Sequence, residues 1–273
     1  MKKFLSLFIF IFSILIFAQP ARTALKAKAE ECFKKADYKC AENTYVELLK
    51  EENNPSLQSS FYNNLGTSQR RLGKTSLAFT SYDKAMKSNP QDINSYINLS
   101  SMHSQKGDKE KALQFVKLGL MLDDQNADLY LTRAKIYEDQ KKNDLAEADY
   151  KNLISFQPDN IIARSNYAIM KKNAGKYEEA LKDYTQMISE KPESLLYNSR
   201  ADVYLNMKKY KEALTDVQKA ITLDPKFSVR YVTKAKILFE TNKKTDACIA
   251  LNKAISLGIE KVFVFDLMKN CEK

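Results

Sequence analysis

Alanine recurs in this 273-residue sequence with a period that few folds can produce. Ala41, Ala78, Ala112, Ala146, Ala180, Ala213 and Ala247 follow one another at intervals of 37, 34, 34, 34, 33 and 34 residues. Twelve residues before each stands another small side chain: Ala29, Gly66, Ser100, Ala134, Ala168, Ala201 and Ala235. Pro90, Pro158, Pro192 and Pro225 keep the same beat, 68, 34 and 33 residues apart. A fixed period of this length marks an array of equivalent supersecondary units. One such unit cannot bury its apolar side alone, whereas a stack of them can.

The unit itself is legible. Before the midpoint, apolar and small residues keep a helical period, as in Tyr62, Leu65, Gly66 and Tyr96, Leu99, Ser100. After it the period resumes, as in Ala180, Leu181, Tyr184, Met187, Ile188. The midpoint is a polar turn holding Gly73, Gly107 or Gly175 in three copies and Ala36, Lys141, Lys208 or Asn242 in the others. Each unit therefore reads as two antiparallel helices joined by a tight turn. Where two such helices cross, a large side chain would hold their axes apart, so the contact takes Ala, Gly or Ser. The closing Pro cannot sit inside a helix and resets the chain for the next unit. Only 6 Gly and 6 Pro punctuate the whole sequence, which favours helix over turn-rich β structure.

On these residues the sequence resembles the tetratricopeptide repeat (TPR) family, whose 34-residue unit sets aromatic, small, Tyr, Ala and Pro positions at fixed intervals. Seven units are expected: 22–58, 59–92, 93–126, 127–160, 161–193, 194–227 and 228–261. The resemblance implies an all-α fold, an α-α superhelix or TPR solenoid of seven helix-turn-helix repeats, with residues 262–273 as a C-terminal capping helix. In that helix Val262, Phe265, Leu267 and Met268 are expected to form the apolar side. Several positions depart from the family pattern. Three extra residues near Glu52–Pro55 suggest a longer loop. Lys28, Arg133, Arg200 and Lys234 occupy a place where Leu is usual, and their stems are expected to lie along the core with the charge in water. Arg164 replaces an aromatic, and Asp124 and Ile259 replace the proline.

Residues 1–18, MKKFLSLFIFIFSILIFA, stand apart. A positive start, an apolar run and Ala18 give the three-part layout of a secretory signal peptide, with cleavage expected after about Ala18. A run of about 14–15 residues makes roughly 22 Å of helix, short of the roughly 30 Å hydrocarbon core. The expected destination is the periplasm or the medium, with an uncleaved N-terminal anchor as the alternative. The formal net charge is +10, and residues 194–261 carry 13 Lys+Arg against 7 Asp+Glu, or +6 of it. A solvated lysine-rich helical surface explains this. Interleaved acids and the export signal argue against nucleic acid as a partner.

Candidate chemistry is sparse. SQRRLGKT at 68–75 approaches a phosphate-binding loop, but Ser68 stands where the first Gly is required and the segment falls in a helix–helix turn. His103 is the only histidine, which leaves no His pair for a metal and no His-based relay; it is expected to be core or half-buried. No catalytic residues, metal ligands, cofactors or small-molecule substrate are expected, and the protein is read as not an enzyme. The four cysteines fall into two near pairs, Cys32 with Cys40 and Cys248 with Cys271. An even count in an exported chain suggests two disulfides, one at each end of the array; buried free thiols are the alternative.

The binding face follows from the resemblance. In the family the first helix of each unit lines a concave groove. Asn64, Asn98 and Asn166 take equivalent places there, with Asn63, Asn94 and Asn198 nearby and Lys135 on the same side. An amide carries donor and acceptor together, so a ladder of amides can hold an extended peptide backbone. Some family members clamp a terminal carboxylate instead. That clamp is incomplete here, because Lys26, Thr67, Asn94, Asp128 and Thr132 do not supply the groups around Asn64 and Asn98. The expected function is an exported non-enzymatic scaffold that holds a protein or peptide in the groove. The alternative is an accessory of an envelope-associated complex or secretion machine, which binds an anionic surface or acidic partner through the basic C-terminal repeats.

Overall fold

The computed structural model describes residues 22–271; the signal segment 1–18 lies outside the described residues. All regular structure in them is helical. Residues 22–34 form α1. There follow α2 (Tyr38–Leu49), α3 (Pro55–Arg71), α4 (Thr75–Ser88), α5 (Ile93–Gln105), α6 (Lys109–Leu122), α7 (Ala127–Asp139) and α8 (Asn143–Phe156). Beyond them lie α9 (Ile161–Asn173), α10 (Tyr177–Glu190), α11 (Ser194–Asn206), α12 (Tyr210–Leu223), α13 (Ser228–Glu240), α14 (Lys244–Ser256) and α15 (Lys261–Met268). Two compact units divide the chain, one up to Asp149 and the other from Tyr150.

The small residues sit where the helix crossings need them. Ala29, Ala41, Ala78, Ser100, Ala112, Ala134, Ala146, Ala168, Ala180, Ala201, Ala213, Ala235 and Ala247 are all fully buried. At Gly66 the fit is tighter still. A Cβ there would stand 2.7 Å from the ring of Tyr82, closer than carbon atoms approach. Tyr82, Tyr150 and Tyr184, each four residues after the small residue of its second helix, are buried beside these crossings. Each large side chain so covered contributes roughly 1.5–3 kcal/mol.

The hairpin turns share one device. Ala36, Gly73, Gly107, Lys141, Gly175, Lys208 and Asn242 all have φ between 57° and 89°. In this left-handed conformation the chain reverses with two backbone bonds to the preceding helix, for example Lys74 N–H to the Gln69 carbonyl at 2.8 Å and Gly73 N–H to Arg70 at 3.0 Å. Between hairpins the residue after the helix is extended instead, with Asn89, Lys191 and Asp224 at φ of −140°, −148° and −148°. A following proline enforces that conformation. Asp123 adopts it too, at φ −147°, although Asp124 stands in the proline's place.

Three expectations change. The extra residues near Glu52–Pro55 lengthen the loop by only one, 50–54 against 89–92, and the helix that follows takes up the rest: α3 has 17 residues where α5, α7, α9, α11 and α13 have 13. Pro55 supplies a helical φ at the first turn, and the Asn54 side chain accepts from the Ser56 and Leu57 amides at 3.0 and 3.1 Å. In α15 the buried stripe is Val264, with Leu267, Met268 and Cys271 packed half-buried behind it, whereas Val262 and Phe265 are 71% and 59% exposed. Finally, the charges of Arg133 and Arg200 are not left to water alone. Arg133 forks onto Asp149 with contacts of 2.6 and 2.9 Å, and Arg200 onto Asp216 at 2.7 and 2.9 Å. Both aspartates are buried. Each pair ties the first helix of a hairpin to the second, and burial of the carboxylate makes the arginine obligatory.

Candidate functional site

Of the amides predicted to form a ladder, Asn64 lies on α3 and Asn98 on α5, and Asn98 is held through Asn63 by a hub that is not itself an amide. Asp92, the cap of α5, accepts the Asn94 backbone N–H on one oxygen at 3.1 Å. Its other oxygen accepts the Ser59 hydroxyl at 2.6 Å and the Asn63 amide at 2.9 Å. Asn63 also donates to Ser95 at 3.0 Å and accepts from Asn98 at 3.0 Å. Asn63 is thereby saturated and 6% exposed, and it holds Asn98 in place. Asn98 spends one donor on this bond and keeps its carbonyl. Beside it opens a cavity of about 450 Å³ between α3 and α5, lined by Ser60, Asn64, Thr67, Asn89, Asn94 and Asn98 among others. Its walls are hydroxyls and amides almost throughout. Thr67 is fixed by the Tyr82 hydroxyl at 3.1 Å. Burial pushes the Tyr45 phenol up, with the side chain of Asn64 pulling the other way through a hydrogen bond.

A second cavity, of about 630 Å³, lies between α5 and α7, with Ile97, Leu131 and Ile136 as apolar lining and Ser101, Thr132 and Lys135 as polar groups. Charges frame it. Lys109 pairs with Asp139 at 2.8 Å, and Lys135 with Glu138 and Asp139 at 3.4 and 3.5 Å. The hydrogen bond and charge of Lys109 hold the Asp139 carboxyl below the usual carboxylate range against the opposing effect of burial.

The structure thus brings Asn64 and Asn98 to one cavity and Lys135 to another in the same unit. Asn166 lies half-buried on α9 and Asn198 on α11, in the second unit, and the Asn198 side-chain carbonyl is buried without a partner among the described residues. Asn63, noted in the sequence as a neighbour, is the support on which Asn98 rests. Asp92 keeps the repeat as a helix cap, 34 residues before Asn126, but only the approach of that cap to α3 reveals the part it and Ser59 play.

Other singled-out residues have ordinary employment. Lys74, in the sequence that approaches a phosphate loop, is bound to Glu42 at 2.6 and 2.8 Å. His103 is wedged between Phe79 and Phe115, with ring centroids 5.1 and 5.4 Å away. Cys32 is paired with Cys40 and Cys248 with Cys271, each with Cα atoms 5.7 Å apart. Among the described residues no three His, Cys, Asp or Glu side chains cluster to hold a metal, and no helix is long and apolar enough to cross a membrane.

The class this geometry defines is the tetratricopeptide repeat. The family model of that description matches residues 59–92, 93–126 and 127–160, and a second of the same description matches 194–227. These repeats and the all-helical fold agree with solved structures. A tetratricopeptide repeat protein from Parabacteroides merdae superposes with a TM-score of 0.75 at 29% identity, covering 93% of this chain and 100% of that one. Among curated relatives, sperm-associated antigen 1 of Mus musculus is 32% identical over 31% of this chain, and the heat shock protein sti1 homolog of Schizosaccharomyces pombe 39% identical over 24%. The matched segments span only 9% and 11% of those proteins. The chain thus carries tetratricopeptide repeats in an all-helical fold.

Proposed function

We propose that the protein is an exported, non-enzymatic scaffold that holds an extended peptide segment of a protein partner in the groove of its first unit. The observation that carries this reading is the α3–α5 cavity, whose walls are side chains able both to donate and to accept. An extended backbone needs both, alternately, and the Asp92–Asn63 support sets Asn98 in one orientation without any rearrangement on binding. The charged α5–α7 cavity next to it, with Lys135 and Asp139, selects among side chains. The curated relatives include an Hsp70–Hsp90 organizing protein from Triticum aestivum, whose name describes protein partners. That likeness supports a binding role of the same general kind.

Export rests on the signal-like residues 1–18, with removal after about Ala18, and on the two cysteine pairs, which suit an oxidising periplasm or medium. Capture of envelope proteins by the purified chain, compared with an Asn64→Ala/Asn98→Ala variant, tests the groove. The expected result is a ligand retained at physiological salt by the native chain and lost from the variant. A chain that retains nothing at either low or physiological salt would refute the reading. Export is tested separately by N-terminal sequencing from cell fractions; a cytoplasmic chain that keeps Met1 would refute it.

A second reading keeps one specific observation in its favour. In the basic stretch, Lys208, Lys211, Lys219, Lys226, Lys243, Lys244 and Lys253 form no ion pair among the described residues. Binding of an envelope-associated complex or anionic surface through them would weaken steeply as salt rises, unlike a groove complex held by amides.

A further inference from the structure

Hairpins of this chain carry a tyrosine three residues into their first helix, and two of them show what its hydroxyl does. Tyr96 of α5 is 8% exposed and donates to the Pro90 carbonyl at 2.9 Å. Tyr231 of α13 donates to the Pro225 carbonyl at 3.0 Å. In both, the acceptor lies six residues upstream, in the loop entering the helix. On α9 the same place holds Arg164, and six residues upstream is again a proline, Pro158. The arginine does not replace the ring. Its guanidinium is drawn across to α10, where it forks onto Glu190, one arm at 3.0 Å.

Space remains where the ring would be. A cavity of about 390 Å³ opens there, with Ile154, Pro158, Arg164, Tyr167, Lys171 and Gln186 in its lining. The lining is firmly built. Lys171 is fixed by Asp183 at 2.7 Å and stands 4.3 Å from the Tyr167 ring centre, and Tyr167 stacks on Tyr150 with centroids 6.3 Å apart. The cavity therefore offers an apolar wall at Ile154 with the proline that the sibling hairpins use for their own tyrosine, Pro158, in its lining, beside Asp159, Asp183 and Glu190. It adds a guanidinium that can lie over an aromatic face.

We propose that this slot receives a tyrosine side chain of a protein partner, with the ring against Ile154 and Arg164 and the phenolic hydroxyl donating to the Pro158 carbonyl. Phenylalanine fits less well, because it would cover that carbonyl without a donor. The slot shares no residue with the α3–α5 groove, so it is a separate contact point. Loss of groove binding on Asn64→Ala/Asn98→Ala leaves it untouched.

The test uses the full chain with p-cresol, the free tyrosine side chain, and toluene, the phenylalanine one. NMR follows the Ile154 methyl and the Tyr167 ring. The expected result is a saturable shift with p-cresol at millimolar concentration and binding of toluene several-fold weaker. Arg164→Tyr, which restores the missing ring, should abolish the p-cresol response while helicity and Tm stay at or above those of the native chain. Should that variant fail to fold, Ile154→Phe narrows the slot from its other wall and should have the same effect. The proposal is overturned if p-cresol gives no saturable shift up to about 10 mM. It is overturned equally if toluene binds as well as p-cresol, or if the response survives the variant that fills the slot.

Discussion

Single residues here act through what they would leave behind. Asp149 is a buried carboxylate whose countercharge is Arg133, on the other helix of its hairpin. Arg133→Leu restores the side chain that the family pattern favours, yet it strands that charge. Chemical denaturation should show a loss of about 3 kcal/mol. Arg133→Leu combined with Asp149→Leu should recover most of it, because no buried charge then remains. If the single and double variants are equally unstable, the pair is not the reason. The small positions give a contrast of another sort. Ala180 is fully buried at its helix crossing and Lys182, two residues on, is exposed. Ala180→Leu should cost about 1–3 kcal/mol through overpacking, and Lys182→Leu a few tenths at most. Equal effects would contradict the register. These small positions could be seen in the sequence because seven copies repeat one constraint. The Arg133–Asp149 pair could not, since two residues sixteen apart face each other only once both helices have a fixed rotation.

At the level of the element, the turn is the informative piece. Four of the seven hairpin turns place a side chain at positive φ, where glycine is at ease and other residues are strained. A Cβ at Gly73 would meet nothing within 4 Å, so conformation and not space is what matters there. Lys208→Gly should therefore raise stability by about 0.5–1 kcal/mol, and Gly73→Ala should lower it by about 1 kcal/mol, both readable in Tm. Turn positions were plain from the sequence, whereas the face of the capping helix was half legible: Leu267 and Met268 lie on it, but Val262 and Phe265 do not. Eight residues hold barely two turns, and α15 has no sister copy to average against. Its true stripe runs from Val264 through Leu267 and Met268 to Cys271, the residue paired with Cys248. The groove was half legible for a related reason. Asn64 and Asn98 recur with the repeat, but the support beneath Asn98 comes through Asn63 from Asp92, whose bond to α3 the repeat does not announce.

For the whole molecule, acid is the simplest probe. Burial raises the pKa of Glu42, but hydrogen bonds and charge from Lys74 and Lys39 more than offset it and hold the carboxyl below its ordinary value. Asp139 is lowered as well, beside Lys109. A carboxyl whose folded pKa is depressed adds stability that is present above its unfolded value, about 4, and is lost as pH falls through the folded one. Tm should accordingly be level near neutrality and fall below about pH 4, and Lys74→Ala should flatten that fall. A Tm that does not respond to acid would show that these pairs carry no net stability. The Arg133–Asp149 and Arg200–Asp216 bridges have a consequence for recombination. A helix moved alone into another hairpin would carry an ionised group without its counterpart. Chimeras spliced at the loops between hairpins should fold, and those spliced at the turns within these two should not.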